Sequence, residues 1–119
     1  MAVRQKRSYH KLVEDFEEVA RANLEKLKHV NGICRLAQAN ERTLSRAYRV
    51  VRGTSPYKYL QELRLKEVKR ILSSETSTVT QAAFRFGFRE LGRFAVQYKK
   101  TFGESPSETL RRARSLRAP

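Results

Sequence analysis

The sequence has little of what marks secreted and membrane proteins. It contains a single cysteine, Cys34, so a disulfide within the chain is excluded and a reducing cytoplasm is favoured. No apolar run approaches the ~20 residues of a membrane-spanning helix, and no signal peptide is recognisable in the opening MAVRQKRSYH. We therefore expect a cytoplasmic location and no membrane partner.

The patterns of enzymes and metal sites are missing too. The chain has no glycine-rich phosphate loop, no nucleophile with an arranged base and no paired carboxylates. Its two histidines, His10 and His29, lack metal-ligand spacing with each other and with Cys34. We interpret Cys34 as a buried packing residue. We expect no enzymatic activity, no cofactor and no metal.

Acidic residues are scarce relative to basic ones. The 119 residues include 26 Lys and Arg but only 12 Asp and Glu, which gives a net charge of +14. Of these, 19 basic and seven acidic residues follow residue 30. Such an excess opposes compaction unless a partner neutralises it, so the composition indicates a nucleic acid as partner.

The most informative pattern begins at Thr78. Thr78 and Gln81 have the spacing of a capping box, which predicts the start of a helix. Apolar residues then recur at helical spacing, namely Val79, Ala82, Ala83 and Phe86. Gly87 predicts the end of this short helix, because glycine adopts a left-handed backbone without steric penalty.

A longer helix is predicted from about Glu90 to Gly103. Its apolar face comprises Leu91, Phe94, Ala95, Tyr98 and Phe102. Its other face carries Arg93, Gln97 and Lys100. Ser105 and Pro106 then predict the start of a further helix. A short helix, a tight turn and a longer basic helix form a helix-turn-helix, whose second helix enters the DNA major groove.

The same layout occurs fifty residues earlier. A short helix is predicted over 33–37, with Ile33, Leu36 and Ala37 inward, followed by a turn at Gln38. A helix then runs from Glu41 to about Arg52. The inward residues of this helix are Leu44, Ala47, Tyr48 and Val51. Tyr48, Gly53, Ser55, Pro56 and Leu60 recur as Tyr98, Gly103, Ser105, Pro106 and Leu110. Gly87 corresponds to Gln38, so the second turn is predicted to be one residue longer.

Two further helices complete the pattern. One, over 11–28, has an apolar stripe that predicts a core-covering role. The other, over 56–73, has apolar residues spread over about 200° of its circumference, enough to pack against two separate cores. We therefore divide the chain into residues 1–55, with the first unit, a connecting helix over 56–73, and residues 74–119, with the second unit and the C-terminal helix.

Over residues 11–113 the chain resembles the DNA-binding domain of the AraC/XylS family of bacterial transcription regulators. The most specific segments are CRLAQANERTLSRAYRVVRGTSPYKYLQELRL and TVTQAAFRFGFRELGRFAVQYKKTFGESPSETLRR. RTL, GRF and FGESPSETL are closest to the subgroup resembling ethanolamine-utilisation regulators. The chain departs from the family pattern at Gln38, where glycine is usual, and at Arg89, where a small capping residue is common.

The resemblance implies an all-α fold of about seven helices, with two homeodomain-like helix-turn-helix units joined by a connecting helix. It implies sequence-specific binding to two successive major-groove segments of double-stranded operator DNA, usually to activate transcription, with RNA polymerase as a further partner and the bacterial nucleoid as location. Relatives usually carry an effector or dimerisation domain, which we expect to be absent here. The chain is then a domain of a larger regulator or a small stand-alone member.

The resemblance also assigns DNA-binding positions. The base-reading positions are Arg42, Thr43, Ser45 and Arg46 in the first unit and Glu90, Gly92, Arg93 and Gln97 in the second. The predicted phosphate contacts are Arg49, Arg52, Arg89 and Lys100. Arginine can donate two hydrogen bonds to guanine, threonine can offer a methyl to thymine, and glutamate can accept from cytosine N4.

Each assignment has an alternative in which the residue does not contact a base. An arginine at such a position contacts a phosphate or solvent as readily as a base. Glu90 equally well stabilises the N-terminus of its helix. Gly92 indicates either close approach to DNA or close packing against a neighbouring helix, and Leu91 is interpreted as core.

Three other functions remain as alternatives. A nonspecific architectural protein would explain the charge, but not two faces of polar residues and arginine. An RNA-binding module would need exposed aromatic platforms, whereas the aromatic residues here fall on predicted core faces. A membrane-surface domain would need one strongly basic amphipathic segment, whereas the charge follows the recognition helices.

Overall fold

The computed structural model describes residues 7–74 and 76–117. Within these ranges the fold is all-α, as predicted, with no strand. The seven helices are α1 (Tyr9–Ala22), α2 (Val30–Leu36), α3 (Glu41–Val51), α4 (Pro56–Ser74), α5 (Val79–Arg85), α6 (Leu91–Phe102) and α7 (Pro106–Arg117). None of these helices is both long and apolar enough to cross a membrane.

The chain divides into two compact units between Gln61 and Glu62, a boundary inside α4. The first unit contains α1, α2, α3 and the start of α4, and the second contains the rest of α4 with α5, α6 and α7. Each unit holds one helix-turn-helix, α2–α3 or α5–α6. The division into three segments that we drew from the helix pattern stays a prediction.

The core of the first unit forms where α1 crosses α3. The rings of Phe16 and Tyr48 pack in a T-shape at a centroid distance of 5.7 Å, and the ring of Tyr59, at the start of α4, lies 6.5 Å from that of Phe16. The residues of this core with no more than 1% exposure include Val13, Phe16, Ala20, Ile33, Leu44, Ala47, Tyr48 and Leu60. Burial of these side chains fixes which face of α3 is left for solvent or a partner.

The first helix is displaced toward the N-terminus relative to the predicted 11–28. It begins at Tyr9 because the Ser8 hydroxyl accepts a hydrogen bond from a backbone N–H of the first turn at 3.1 Å. It ends at Ala22 because the Asn23 side chain donates to a carbonyl of the preceding turn at 2.9 Å. The prediction of helix through residue 28 is therefore wrong.

The second helix begins at Val30, three residues earlier than predicted, and turns a different face inward. Ile33, Cys34 and Ala37 are buried, so the centre of the inward face lies among them. Leu36 then falls about 110° from that centre at 100° per residue, and it is 57% exposed. The prediction of Leu36 as an inward residue is wrong, whereas Cys34 is buried as predicted.

The core of the second unit is built on a row of aromatic rings. Phe88 lies 4.9 Å from Phe94, Phe94 lies 5.8 Å from Tyr98, and Tyr98 lies 4.7 Å from Phe102, between ring centroids. The Tyr98 hydroxyl shares a hydrogen bond of 2.7 Å with the Thr109 hydroxyl, which ties α6 to α7. Burial of this ring raises the pKa of the Tyr98 phenol.

The wide apolar arc of α4 reflects its place in both cores. Leu60 is buried in the first unit, and Val68, Ile71 and Leu72 are fully buried in the second. Because these residues serve different cores, they need not share one narrow stripe. The predicted helix over 56–73 is confirmed, with its end one residue later.

Candidate nucleic-acid interface

The turns between the paired helices differ as predicted. Four residues separate α2 from α3, and five separate α5 from α6. Gly87 has a φ of 92°, and Gln38 adopts the same left-handed region with a φ of 55°. Gln38 is the one non-glycine residue with positive φ in the described ranges. The first turn therefore forms without glycine, at some cost in backbone strain.

A side chain from outside the helix-turn-helix holds this strained turn. The Arg7 guanidinium donates to the carbonyl oxygen of Ala37 at 3.0 Å and to that of Gln38. It also pairs with the Asp15 carboxylate at 2.9 Å, and Lys11 approaches the same carboxylate at 3.0 Å. Burial alone would raise the pKa of Asp15, but hydrogen bonds from Arg7 and Lys11 hold it below its usual value.

The starts of α3, α5 and α6 lie where the sequence predicts them. Asn40 caps α3, because its Oδ1 accepts from the Thr43 backbone N–H at 3.1 Å. The predicted capping box of α5 is present, with the backbone N–H of Gln81 and of Thr78 each donating to the other residue's side chain at 3.0 Å. Glu90 precedes α6 without a side-chain cap.

The outward face of α3 is basic. Arg42, Ser45, Arg46 and Arg49 are exposed, as the pattern predicts. Thr43 is half-buried beside the cap, with its hydroxyl 3.5 Å from Asn40 Oδ1. No described carboxylate pairs with Arg42, Arg46 or Arg49, so their guanidinium groups are available to an anionic partner.

Arg52 has a partner inside the protein. Glu17 on α1, only 7% exposed, accepts from Arg52 Nη2 at 2.8 Å and Nε at 3.1 Å, and from the Tyr48 hydroxyl at 2.9 Å. Burial raises the pKa of the Tyr48 phenol most, and the hydrogen bond to Glu17 raises it further. The phenol therefore stays protonated. Sequence spacing could not reveal this cluster, because Glu17 and Arg52 are 35 residues apart. It anchors the C-terminal end of α3 to α1, and the phosphate contact of Arg52 stays a prediction.

The start of α6 differs from its predicted packing. Leu91 is 37% exposed, so its interpretation as core is wrong. Phe88, which precedes the helix and is 7% exposed, packs on Phe94 instead. The helical wheel placed Leu91 correctly by angle, but the core does not extend to the first turn.

The outward face of α6 and the residues before it mix acidic with basic side chains. Glu90, Gly92, Arg93 and Lys100 are exposed, as is Arg89 before the helix, whereas Gln97 is half-buried. Arg93 Nε lies 3.6 Å from Glu90 Oε2, but both side chains are more than 70% exposed. Such a pair contributes about 0.2–1 kcal/mol, too little to prevent Arg93 from contacting a base. Val96, absent from the predicted site, is also on this face and is 68% exposed.

Gly92 has open space around it. A Cβ atom built there would meet no atom within 4 Å, apart from its own helix backbone and chain neighbours. Close packing against a neighbouring helix therefore does not explain this glycine. The other interpretation, close approach to DNA, stays a prediction.

Substituting alanine for Gly92 should stabilise the protein and weaken its binding to DNA. The free energy of unfolding, measured with urea, should rise by about 1 kcal/mol, because alanine is the better helix former and its methyl group has room. The new methyl group should lower affinity for a selected duplex. Gly103→Ala is the control, since its φ of 77° makes alanine strained there. Unchanged DNA affinity in Gly92→Ala would rule out close approach at this position.

The described residues form neither a metal site nor an activated thiol. Among residues 7–74 and 76–117, no three His, Cys, Asp or Glu side chains are grouped closely enough to hold a metal ion. Burial raises the pKa of the Cys34 thiol to about 11, so the reactive thiolate form is disfavoured.

Comparison with known proteins gives a consistent set of relatives. A family model described as a helix-turn-helix domain matches residues 33–112. The xylDLEGF operon transcriptional activator of Pseudomonas putida is 32% identical over 110 residues, 90% of this chain and 33% of that protein. The activator 2 of the same operon is 33% identical over 105 residues, 86% of this chain and 64% of that protein. The chain thus spans about a third to two thirds of the length of these relatives.

Solved structures share the fold along most of the chain. A probable AraC family transcriptional regulator from Rhodopseudomonas palustris is 36% identical, with a TM-score of 0.78, over 87% of this chain and 97% of that one. The DNA-binding domain of AdpA, a global transcriptional factor solved with a target DNA, is 25% identical, with a TM-score of 0.72, over 87% and 96%. The finer resemblance to ethanolamine-utilisation regulators stays a prediction. The two-unit fold and these matches together show that the chain belongs to the AraC family of transcription regulators and comprises its helix-turn-helix DNA-binding domain.

Proposed function

We propose that the chain binds double-stranded operator DNA sequence-specifically and so serves a transcriptional activator. The observation that carries this proposal is a pair of recognition helices, each held by its own core and each presenting its outward face to solvent. The activators of the xylDLEGF operon and the AdpA domain solved with a target DNA support it. We place this activity in the cytoplasm, at the nucleoid, with RNA polymerase as a further partner.

The side chains available to DNA differ in their expected roles. Arginine suits guanine O6 and N7, so we assign base contacts to Arg42, Arg46 and Arg93. The other proposed base-reading positions are Thr43, Ser45, Glu90, Gly92 and Gln97. Arg49, Arg89 and Lys100 are proposed to contact phosphates, and Arg52 contributes first by fixing α3 through Glu17.

Both units are proposed to bind one duplex at successive major-groove segments. For paired helix-turn-helix units the segments lie one turn, about 10 bp, apart. Selection of bound duplexes from a random pool, followed by footprinting, tests this directly. Protection of two segments one turn apart is expected. Protection of a single segment would contradict simultaneous use of α3 and α6.

The rival function is nonspecific architectural binding, which the net charge of +14 would also permit. The two hypotheses differ in how affinity depends on sequence at constant salt. We expect the selected duplex to bind more tightly than a random duplex of equal length at every salt concentration. Equal affinity throughout would favour the architectural protein.

Two arginine variants should separate base contacts from phosphate contacts. Arg93→Ala should lower affinity for the selected site by about 1–3 kcal/mol and relax the preference at one base pair. Arg49→Ala should weaken selected and random duplexes by similar factors and reduce the salt slope by about one. Titrations of both variants against the site, its single-base variants and a random duplex measure this. An unchanged base preference in Arg93→Ala would make the second unit a backbone clamp.

A further inference from the structure

Val96 is an apolar side chain that is mostly exposed to solvent. It lies two residues from both Phe94 and Tyr98, about 160° around the helix from each of these buried rings. With 68% of its surface exposed, it contributes little to the core. As a β-branched residue it is also a poorer helix former than alanine, so neither packing nor helix propensity explains it.

The internal repeat shows what Val96 corresponds to in the first unit. At the offset of fifty, Gly92 and Val96 of α6 match Arg42 and Arg46 of α3. Each pair is four residues apart on the outward face of its helix, so its members lie one above the other. The two units therefore present opposite chemistry at matching places, two arginines in one and two small uncharged residues in the other.

We infer that Val96 is a specificity-determining residue that contacts the C5-methyl group of a thymine in the half-site bound by α6. This inference rests on the proposed function, since it needs α6 in a major groove. Thymine is the base that offers an apolar group there, and a neutral side chain is suited to it. Gly92, one turn earlier and free of neighbours, lets the helix backbone come close enough for a side chain as short as valine to reach.

The expected target site is therefore asymmetric in composition. The half-site facing α3 should contain guanine opposite Arg42 or Arg46. The half-site facing α6 should contain a T·A pair opposite Val96, next to the base pair whose preference depends on Arg93.

Replacing single thymines by deoxyuridine tests the contact, because the change removes only the methyl group. Each thymine of the selected duplex is replaced in turn, and affinity is measured for the unaltered protein, Val96→Ala and Val50→Ala. Val50 is the matched control, a valine that is 71% exposed on α3. One thymine in the α6 half-site should cost about fourfold in affinity when replaced, the size expected for one buried carbon group.

The pattern across the three proteins decides the outcome. That fourfold loss should persist in Val50→Ala and disappear in Val96→Ala, because the alanine variant has already lost the contact. A loss of equal size in Val96→Ala, or an α6 half-site without a methyl-dependent thymine, would overturn the inference while leaving site-specific binding intact. Equal affinity for selected and random duplexes would instead overturn the proposed function, and the inference with it.

Discussion

Glu17→Ala should lower the free energy of unfolding by about 3 kcal/mol. The substitution leaves the buried Tyr48 hydroxyl without its acceptor, which costs about 1–3 kcal/mol. It also removes both hydrogen bonds from Arg52, whose side chain is 45% exposed and so loses less than a fully buried ion would. Urea unfolding followed by far-ultraviolet circular dichroism measures the loss.

Two further variants show whether the loss comes from the cluster. Glu18→Ala removes an exposed carboxylate from the same helix and should change stability by no more than about 0.5 kcal/mol. Tyr48→Phe removes one hydroxyl while Glu17 keeps Arg52, so its effect should be smaller than that of Glu17→Ala. Equal stability of Glu17→Ala and Glu18→Ala would show that the cluster does not hold α3 against α1.

Binding to the selected duplex should weaken by about 10³–10⁵ between 50 and 200 mM salt, as for about six to ten phosphate contacts. The expected slope of log K against log salt is about −5 to −9, at about 0.9 per phosphate. The excess of 26 basic over 12 acidic residues and the exposed guanidinium groups of α3 supply these contacts. Fluorescence anisotropy titrations at four or five salt concentrations measure the slope.

The control for this titration is the free protein. Its circular dichroism over the same salt range should stay constant, so that weaker binding cannot be attributed to unfolding. A slope near zero with folded protein would contradict nucleic-acid binding of any kind. A steep slope with no preference for the selected duplex would leave only the architectural function.

The sequence predicted what depends on local chemistry. The capping box at Thr78 and the left-handed Gly87 follow from residue types within a few positions of each other. The repeat between α3 and α6 also needed no structure, because equal spacing of tyrosine, glycine, serine and proline is visible in the letters.

The sequence could not predict what depends on contacts between distant segments. Periodicity gives the angle of a side chain around its helix, but not whether a neighbour covers it, and Leu91 is exposed for that reason. For Leu36 the predicted inward face itself was wrong, because the real face is centred among Ile33, Cys34 and Ala37. Hydrogen bonds from Arg7 to the first turn and from Arg52 to Glu17 join residues 30 or more apart. The exposed Val96 was not among the predicted site residues, because an apolar residue on an outward face has no motif.

The repeated tyrosines show how equal sequence positions acquired different neighbours. Tyr48 and Tyr98 occupy the same place in α3 and α6, and both bury their rings and bond their hydroxyls. The partner of Tyr48 comes from α1, which precedes the helix-turn-helix of the first unit, whereas that of Tyr98 comes from α7, which follows the helix-turn-helix of the second unit. The two recognition helices therefore carry equivalent tyrosines whose hydroxyls bond in opposite directions along the chain.

The hydrogen bonds made by Arg7 show that the folded unit extends beyond the region matched by the family model. The family model begins at residue 33, yet a guanidinium 26 residues upstream holds the carbonyl groups of the first turn. A fragment trimmed to the matched region would lose α1 and this bond together. A fragment trimmed to start at Tyr9 would contain the residues of all seven helices, but it would lose the Ser8 cap of α1 and the bonds from Arg7 to Asp15, Ala37 and Gln38. The smallest fragment that keeps these contacts therefore begins before α1.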